Sequence, residues 1–292
     1  MTESPSARFA RLVARDELLV LPGVYDGISA RVAEEAGFES VYVSGGAIAR
    51  SCGLPDLGLL SMTEVRDRIA QICDAVEVPV VVDIDTGYGN ALNVHRTVRE
   101  FTRLGAAAYQ LEDQVTPKKC GHYAGKAVIT AEEMVGKIAA TIESRGPDGP
   151  LVIARTDAVA AEGLDAAVDR ALRYAEAGAE ILFVEAPTDR AQIETVAERL
   201  AGHTLLINMF EGGRTPTVST DDLAAMGYRI VIVPSDLQRA SIHAMRRAAA
   251  ELRQHGSTSA ISDQLTTFDD RDALVNKAVW DEREQRFAAT QE

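Results

Sequence analysis

Eight short runs built from Val, Ile, Leu and Ala recur along the chain, and they constrain its fold more than any other feature. They are Leu18–Leu21, Val41–Ser44, Val78–Val82, Ala107–Leu111, Leu151–Ala154, Ile181–Val184, Thr204–Ile207 and Ile230–Val233. Each is apolar nearly throughout rather than alternating, the pattern of a parallel strand covered on both faces. Amphipathic segments lie between them: Asp26–Ala36, Thr63–Ala75, Leu92–Leu104, Ala131–Ser144, Leu164–Ala177 and Ser235–Arg253. Three end in Ala36-Gly37, Leu104-Gly105 and Ala177-Gly178, where glycine supplies the left-handed stop before a strand. Eight such units predict an α/β fold, a (β/α)8 barrel, within 292 residues. A doubly wound open sheet is the alternative, but no G-x-G-x-x-G follows the first run, which weakens its dinucleotide-binding form.

Two segments break the rhythm. Residues 113–129 form a polar insertion after the fourth run, too long for an ordinary βα loop. Residues 256–292 continue as a helical stretch beyond the eighth unit. The expected organisation is one barrel over 1–255 with a lid at 113–129, and a C-terminal extension of the same domain over 256–292.

A net charge of −14 argues against nucleic acid or an anionic membrane as partner. It leaves room for a small anionic substrate in a local cationic pocket. No apolar run approaches the roughly 20 residues needed to span a bilayer. The polar start MTESPSAR predicts no signal peptide. The three cysteines, Cys52, Cys73 and Cys120, are too few and too widely spaced for a disulfide framework or a zinc ribbon. A reducing, cytoplasmic setting is expected.

In a barrel of this kind the site lies at the C-terminal ends of the strands. Six consecutive runs close on polar groups: Ser44-Gly45-Gly46, Asp83-Ile84-Asp85, Glu112-Asp113, Arg155-Thr156-Asp157, Glu185 and Asn208. Asp83 and Asp85 are two apart and face the same side, with Glu112 on the neighbouring strand. Such carboxylates repel unless a cation lies among them. An all-oxygen set selects Mg²⁺, with Mn²⁺ as substitute, over Zn²⁺. Helix capping or salt bridging is the competing reading. Arg155 ends a buried run and needs an anion, either a site carboxylate or a substrate carboxylate. Gly45 and Gly46 can offer bare N–H groups to an oxyanion. The segment from Asn208 to Pro216 is a candidate for a second anionic end of the ligand.

The insertion carries Lys118-Lys119-Cys120-Gly121-His122, followed by Gly125-Lys126. A thiol between lysines and a histidine is a reactive setting, and the glycines permit loop closure. Composition alone leaves this open against a solvated basic loop with an incidental cysteine. Cys52 and Cys73 read as structural. His95, His203 and His243 show no ligand spacing.

These residues together resemble the isocitrate lyase and phosphoenolpyruvate mutase superfamily, essentially end to end. Lys118-Lys119-Cys120-Gly121-His122 is the most specific element. Ser44-Gly45-Gly46, Gly53-Leu54-Pro55-Asp56-Leu57-Gly58, Asp83-Ile84-Asp85-Thr86-Gly87-Tyr88-Gly89, Leu111-Glu112-Asp113-Gln114 and Ala154-Arg155-Thr156-Asp157-Ala158 also match. The resemblance implies Mg²⁺ held largely through water by Asp83, Asp85 and Glu112. It implies substrate contacts from Tyr42, Ser44, Gly45, Gly46, Cys120, Gly121, Arg155, Glu185 and Asn208, and less securely from Arg239 and Arg271. A homotetramer, as a dimer of dimers exchanging final helices, is also implied. So is carbon–carbon cleavage of a small di- or tricarboxylate. Lys118, His122 and Arg239 would favour the doubly negative aci-carboxylate formed on cleavage, and Cys120 would protonate it. The lysines are expected to lower the pKa of that thiol.

Two departures bear on substrate. Methylisocitrate lyases usually carry His in place of Gln110, and Thr-Glu-Phe-Gly where this chain reads Phe210-Glu211-Gly212-Gly213. The latter resembles the alkylmalate lyase and carboxyphosphonoenolpyruvate mutase branch, and Gly212 and Gly213 are expected to reshape the far end of the pocket. Expected chemistry is release of an α-keto acid from a 2-methylisocitrate- or 2-alkylmalate-type acid. Phosphonomutase chemistry, oxaloacetate hydrolysis or decarboxylation, and a barrel without catalysis are the alternatives.

Overall fold

The computed structural model describes residues 3–288. In chain order the first half runs α1 (Pro5–Val13), β1 (Leu19–Val24), α2 (Gly27–Glu35), β2 (Val41–Val43), α3 (Gly45–Ser51), α4 (Met62–Ala75), β3 (Val80–Asp83), α5 (Ala91–Thr102) and β4 (Ala108–Glu112). It continues α6 (Ala131–Arg145), β5 (Leu151–Thr156), α7 (Ala158–Glu162), α8 (Leu164–Glu176), β6 (Ile181–Val184), α9 (Arg190–Arg199) and β7 (Thr204–Asn208). The chain finishes with α10 (Thr220–Met226), β8 (Tyr228–Val233), α11 (Asp236–His255), a 3-10 turn at Ser259–Gln264, α12 (Phe268–Leu274) and α13 (Lys277–Ala288). The strands close in sequence order, all parallel, with β8 returning to β1. This is the (β/α)8 barrel that the run spacing predicts.

Alternate side chains divide each strand between two cores. Leu19, Leu21, Val81, Ile153, Phe183, Leu206, Ile230 and Ile232 point into the barrel, and Phe9 and Leu12 of α1 close its lower end. The other face, including Val80, Val82, Tyr109, Leu111 and Val152, packs under the surrounding helices. Ser4 caps α1 and Pro5 opens it, and the i, i+3 spacing of Phe9 and Leu12 turns both residues inward. That plug was not among the helices expected from the sequence.

Strand ends differ from expectation in one systematic way. β3, β4, β5 and β7 continue through Asp83, Glu112, Thr156 and Asn208. Asp83, Glu112, Arg155 and Asn208 therefore sit on sheet, whereas Asp85, Asp157 and Glu185 lie just beyond it. β1 runs on past Leu21 through Pro22-Gly23 to Val24. A Cβ at Gly23 would come within 2.2 Å of the Pro234 carbonyl oxygen, so only glycine permits this approach of two backbones. Ser44-Gly45-Gly46 opens a short helix rather than a loop, with Ser44 Oγ accepting from Ala47 N–H at 3.2 Å.

The C-terminal stretch folds as two helices, α12 and α13, and neither buries a residue within the chain. Phe268, Trp280 and Phe287 stand exposed along them. No helix among the described residues is long and apolar enough to cross a membrane. Because Phe9 is fully buried in the lower core, Phe9→Ala is expected to destabilise the barrel by roughly 3–5 kcal/mol, measured by urea unfolding.

Candidate active site

The inward register of the strands carries a polar ring above the apolar barrel core. A cavity of about 310 Å³ opens there, lined by Tyr42, Ser44, Gly46, Asp83, Asn208 and Arg239 from the barrel and by Cys120, Gly121 and His122 from the lid. Arg155 and Glu185 are buried against Gly121 of its wall, and Glu112 is buried beside Arg155.

Asp83 is held rigidly. Its Oδ1 accepts from Asp85 N–H at 3.1 Å and from Gln110 Nε2 at 3.2 Å, and its Oδ2 from Gly45 N–H at 3.3 Å. Tyr42 donates to Gln110 Oε1 at 2.9 Å, which completes a relay from the barrel interior to Asp83. Burial raises the Tyr42 pKa further, so it stays a phenol. Asp85 takes a left-handed backbone (φ 48°), a strained conformation for a residue other than glycine. Its Oδ1 lies 2.8 Å from Lys118 Nζ, without the alignment of a hydrogen bond. Lys118 also donates to Asp56 Oδ1 at 2.6 Å. Glu112 Oε1 is buried with no hydrogen-bond partner, while Oε2 is 3.4 Å from Arg155 Nε.

Burial pushes the Asp85 carboxyl up to about 6 against the pull of Lys118, and raises Glu112 as well, against the pull of Arg155. Lys118 remains cationic, since Asp85, Asp56 and Glu112 outweigh the cost of its burial. Among the described residues no three His, Cys, Asp or Glu side chains converge closely enough to cage a metal directly. The set still fits a hydrated hard cation. Its donors are all carboxylate oxygens, and Glu112 Oε1 is a buried acceptor left without a donor.

Arg155 leaves β5 into the same cluster. Asp157 accepts from its Nε at 2.9 Å and its Nη2 at 3.0 Å, and Glu185 Oε2 lies 3.8 Å from Nη1. Asp157 Oδ1 also takes Lys126 Nζ at 2.6 Å. Burial disfavours the Asp157 carboxylate, but Arg155 and Lys126 outweigh it and hold its pKa at about 2. Asp113 braces this corner by accepting from Thr156 Oγ1, Asp157 N–H and Tyr174 OH at 2.7–2.9 Å.

The lid is ordered by an antiparallel bridge between Gln114 and Val128 and by the Gln114 side chain, which bonds both backbone groups of Lys119. The surroundings of Cys120 differ from expectation. Lys118 turns to Asp56 and Asp85, and Lys119 to the Gly125 carbonyl, so neither lysine faces the sulfur. Burial raises the thiol pKa instead, and Cys120 is protonated at neutral pH. His122 is held neutral, chiefly by burial, which with Arg155 and Lys126 outweighs the opposing pull of Glu185. Its Nδ1 accepts from Arg214 N–H at 3.2 Å, which puts the ring proton on Nε2. Nε2 lies 3.3 Å from Asn208 Nδ2, while Asn208 Oδ1 is buried and unpartnered. Turning that amide over satisfies both groups, with His122 donating to Asn208 Oδ1.

Most of the expected residues thus meet at one mouth. Arg271 does not: it sits exposed on α12, over Phe268 and beside Asp272. Arg239 lines the cavity, stacked over Phe210 and bonded to the Glu211 carbonyl and Asp236. Gly212 and Gly213 do not line it. Gly213 is wedged between His122 and Phe210, and Phe210 forms the wall with Ile232 and Pro234. Cys73 packs half-buried against the core, its thiol pushed up to about 12 by burial, but Cys52 is exposed at the end of α3 and has no core role. Sequence reading gave no role to Asp56, Lys126 or Phe210. Asp56 stands inside a quoted motif, but its pairing with Lys118 spans 62 residues and no local pattern marks it.

The chain was compared with known proteins. The phosphoenolpyruvate phosphomutase family matches residues 9–253. A 2,3-dimethylmalate lyase of Eubacterium barkeri is 41% identical over 97% of this chain and 98% of its own length. A 2-methylisocitrate lyase of Aeropyrum pernix is 46% identical over 91% of this chain and 85% of its own. A crystal structure of a 2,3-dimethylmalate lyase superposes with a TM-score of 0.91 at 36% identity, covering 100% of this chain and 97% of that one. A phosphonopyruvate hydrolase solved with oxalate and Mg²⁺ gives a TM-score of 0.87 at 28% identity, over 99% of each chain.

Two outcomes follow from the geometry. A Cβ at Gly121 would meet Arg155 Nη2 at 2.5 Å and the Glu185 carboxyl at 2.7 Å. Gly121→Ala should therefore keep the lid from seating and cut turnover by about 10²-fold while the thermal midpoint stays within a degree or two. Asp157 has a depressed folded pKa, so its stabilisation is complete above the unfolded value of about 3.9 and fades as pH falls towards 2. Asp157→Asn should cost roughly 3 kcal/mol at pH 7, and urea unfolding should show that gap narrowing below pH 4.

Proposed function

The chain belongs to the phosphoenolpyruvate mutase and isocitrate lyase superfamily, and from that premise we propose that it is a Mg²⁺-dependent carbon–carbon lyase of 2-methylisocitrate- or 2-alkylmalate-type acids. Its products are an α-keto acid of the pyruvate type and a second carboxylate. One observation carries the reading: a protonated thiol on a lid faces the cavity at whose base the buried carboxylates gather. That pairing suits a reaction in which a carbanion forms and is then quenched.

Cleavage starts from the C2 hydroxyl, whose proton passes to solvent water. The C2–C3 bonding pair then passes to C3, leaving a keto group at C2. The charge at C3 spreads into the adjoining carboxylate as an aci-carboxylate. Cys120 S–H supplies the proton that converts it to product, and solvent reprotonates the thiolate before the next turnover. Arg155 clamps the C1 carboxylate, helped by Ser44 and the N–H group of Gly46, whereas the Gly45 N–H is engaged by Asp83 Oδ2. Asn208, neutral His122 and Arg239 face the far carboxylate, with Glu185 and Tyr42 bounding the reacting centre. Lys118 serves the carboxylate end, because Asp56 and Asp85 hold it there.

Asp83, Asp85 and Glu112 would hold Mg²⁺ through water, and the bound ion, for which Mn²⁺ can substitute, supplies Lewis-acid stabilisation of the charge developing at the C2 oxygen. Within the substrate class, the apolar wall of Phe210, Ile232 and Pro234 favours alkyl substituents over a third carboxylate. The exposed apolar side chains of α12 and α13 are what a tetramer of paired, helix-exchanging subunits would cover, and such an exchange would carry Arg271 to a neighbouring site. The acidic surface suits a cytoplasmic enzyme of small carboxylates rather than a nucleic-acid or membrane partner.

The test is a panel of 2,3-dimethylmalate, 2-methylisocitrate, isocitrate, citramalate and oxaloacetate, with keto-acid release as readout. The alkylmalates should be turned over fastest, EDTA should abolish activity, and added Mg²⁺ should restore it. Cys120→Ser should lower kcat by about 10³-fold. Full activity in that variant would remove the thiol from the mechanism.

A further inference from the structure

Lys126 is a charged residue buried at the root of the lid, outside the wall of the catalytic cavity. Its side chain is fully excluded from solvent, as is that of Asp157. The ammonium donates at 2.6 Å to Asp157 Oδ1 and at 2.6 Å to the Gly121 carbonyl. These two bonds join different parts of the molecule. Gly121 follows the thiol directly on the lid, whereas Asp157 stands at the end of β5 and is braced by Asp113 through its backbone N–H. Asp157 also holds Arg155 with two hydrogen bonds.

We propose that Lys126 is a positioning residue that latches the lid onto the barrel and, by sharing Asp157 with Arg155, ties the placement of the Cys120 thiol to the carboxylate clamp. A buried ammonium is tolerated only where acceptors surround it. Both of its acceptors lie in this place only while Gly121 is pressed against Arg155 and Glu185. With the lid lifted, Gly121 leaves and Lys126 loses one of the two. The seated lid is therefore the arrangement that satisfies the charge, and the latch places the acid where the carbanion forms. Gln114, which bonds both backbone groups of Lys119, holds the loop's own shape but makes no bond from the lid to β5.

The inference rests on reading Cys120 as the acid, but its test needs no substrate. Iodoacetamide alkylation is followed site by site by mass spectrometry in the wild type and in Lys126→Met. Exposed Cys52 reports reagent activity, and core-packed Cys73 reports global loosening. Cys120 should be alkylated at least about tenfold faster in the variant, with Cys73 unchanged. With the substrate found in the panel, kcat should fall by about 10²-fold, and Mg²⁺ affinity by calorimetry should stay within about twofold. Unchanged Cys120 reactivity, or parallel acceleration of Cys73, would overturn the latch. If Lys126→Met fails to fold, Lys126→Gln keeps a donor but shortens the reach. It should move Cys120 in the same direction by a smaller factor, and no movement there would equally overturn the proposal.

Discussion

Like charge confined at low dielectric is the condition on which the mouth of this barrel depends. Asp83, Asp85, Glu112, Asp113, Asp157 and Glu185 are all buried or nearly so within a few strands of one another. Carboxylates in such a place survive only with cations, donors or protons to oppose their charge. Lys118, Arg155, Lys126 and Arg170 supply the cations, and each is aimed at two or more acidic groups or carbonyls. The balance is complete around Asp113 and Asp157. It is incomplete at Glu112, Asp85 and Glu185: burial keeps the first two carboxyls high in pKa, and Glu112 Oε1 and both Glu185 oxygens are buried without a donor. The structure is over-determined where it needs strength and under-satisfied where a ligand cation fits.

Scaffold and lid divide the work along the same line. The groups that bear charge stand on strand ends, which the closed ladder and the plug of Phe9 and Leu12 hold still. The thiol stands on the insertion, whose bonds to the rest of the barrel are polar, among them Thr116 to Thr86, Lys118 to Asp56, the Cys120 N–H to the Asp56 carbonyl, His122 to Arg214 and beside Asn208, and Lys126 to Asp157. The acid role proposed for Cys120, which requires the thiol to be away while substrate enters and in place when the carbanion forms, suits such an element.

Much of this was legible in the residues alone. Continuous apolar runs report strands buried on both faces, since any exposed face would need polar residues at alternate positions. Their regular return set the barrel, and the polar groups closing consecutive runs set the mouth, because strand direction is shared around a parallel sheet. Three carboxylates and Arg155 fell into place for that reason. The side chain of Asp56 did not, because its meaning lies in Lys118, far away in sequence. The environment of Cys120 was misread for a related reason: neighbours in sequence on an irregular loop need not be neighbours in space. Lys118 and Lys119 both turn away from the sulfur, and burial rather than adjacent charge sets the state of the thiol. Gly212 and Gly213 were expected to shape the pocket, yet Gly213 serves the packing of His122 and Phe210.

The sequence by itself determined the barrel, the end of it at which polar groups gather and the kinds of group found there, because each of these follows from periodicity along a strand. Tertiary structure alone decided how those groups are partnered. Which carboxylate meets Lys118, which stays bare, whether Cys120 holds its proton and where Lys126 buries its charge depend on distances and desolvation across the barrel, and no spacing along the chain encodes them.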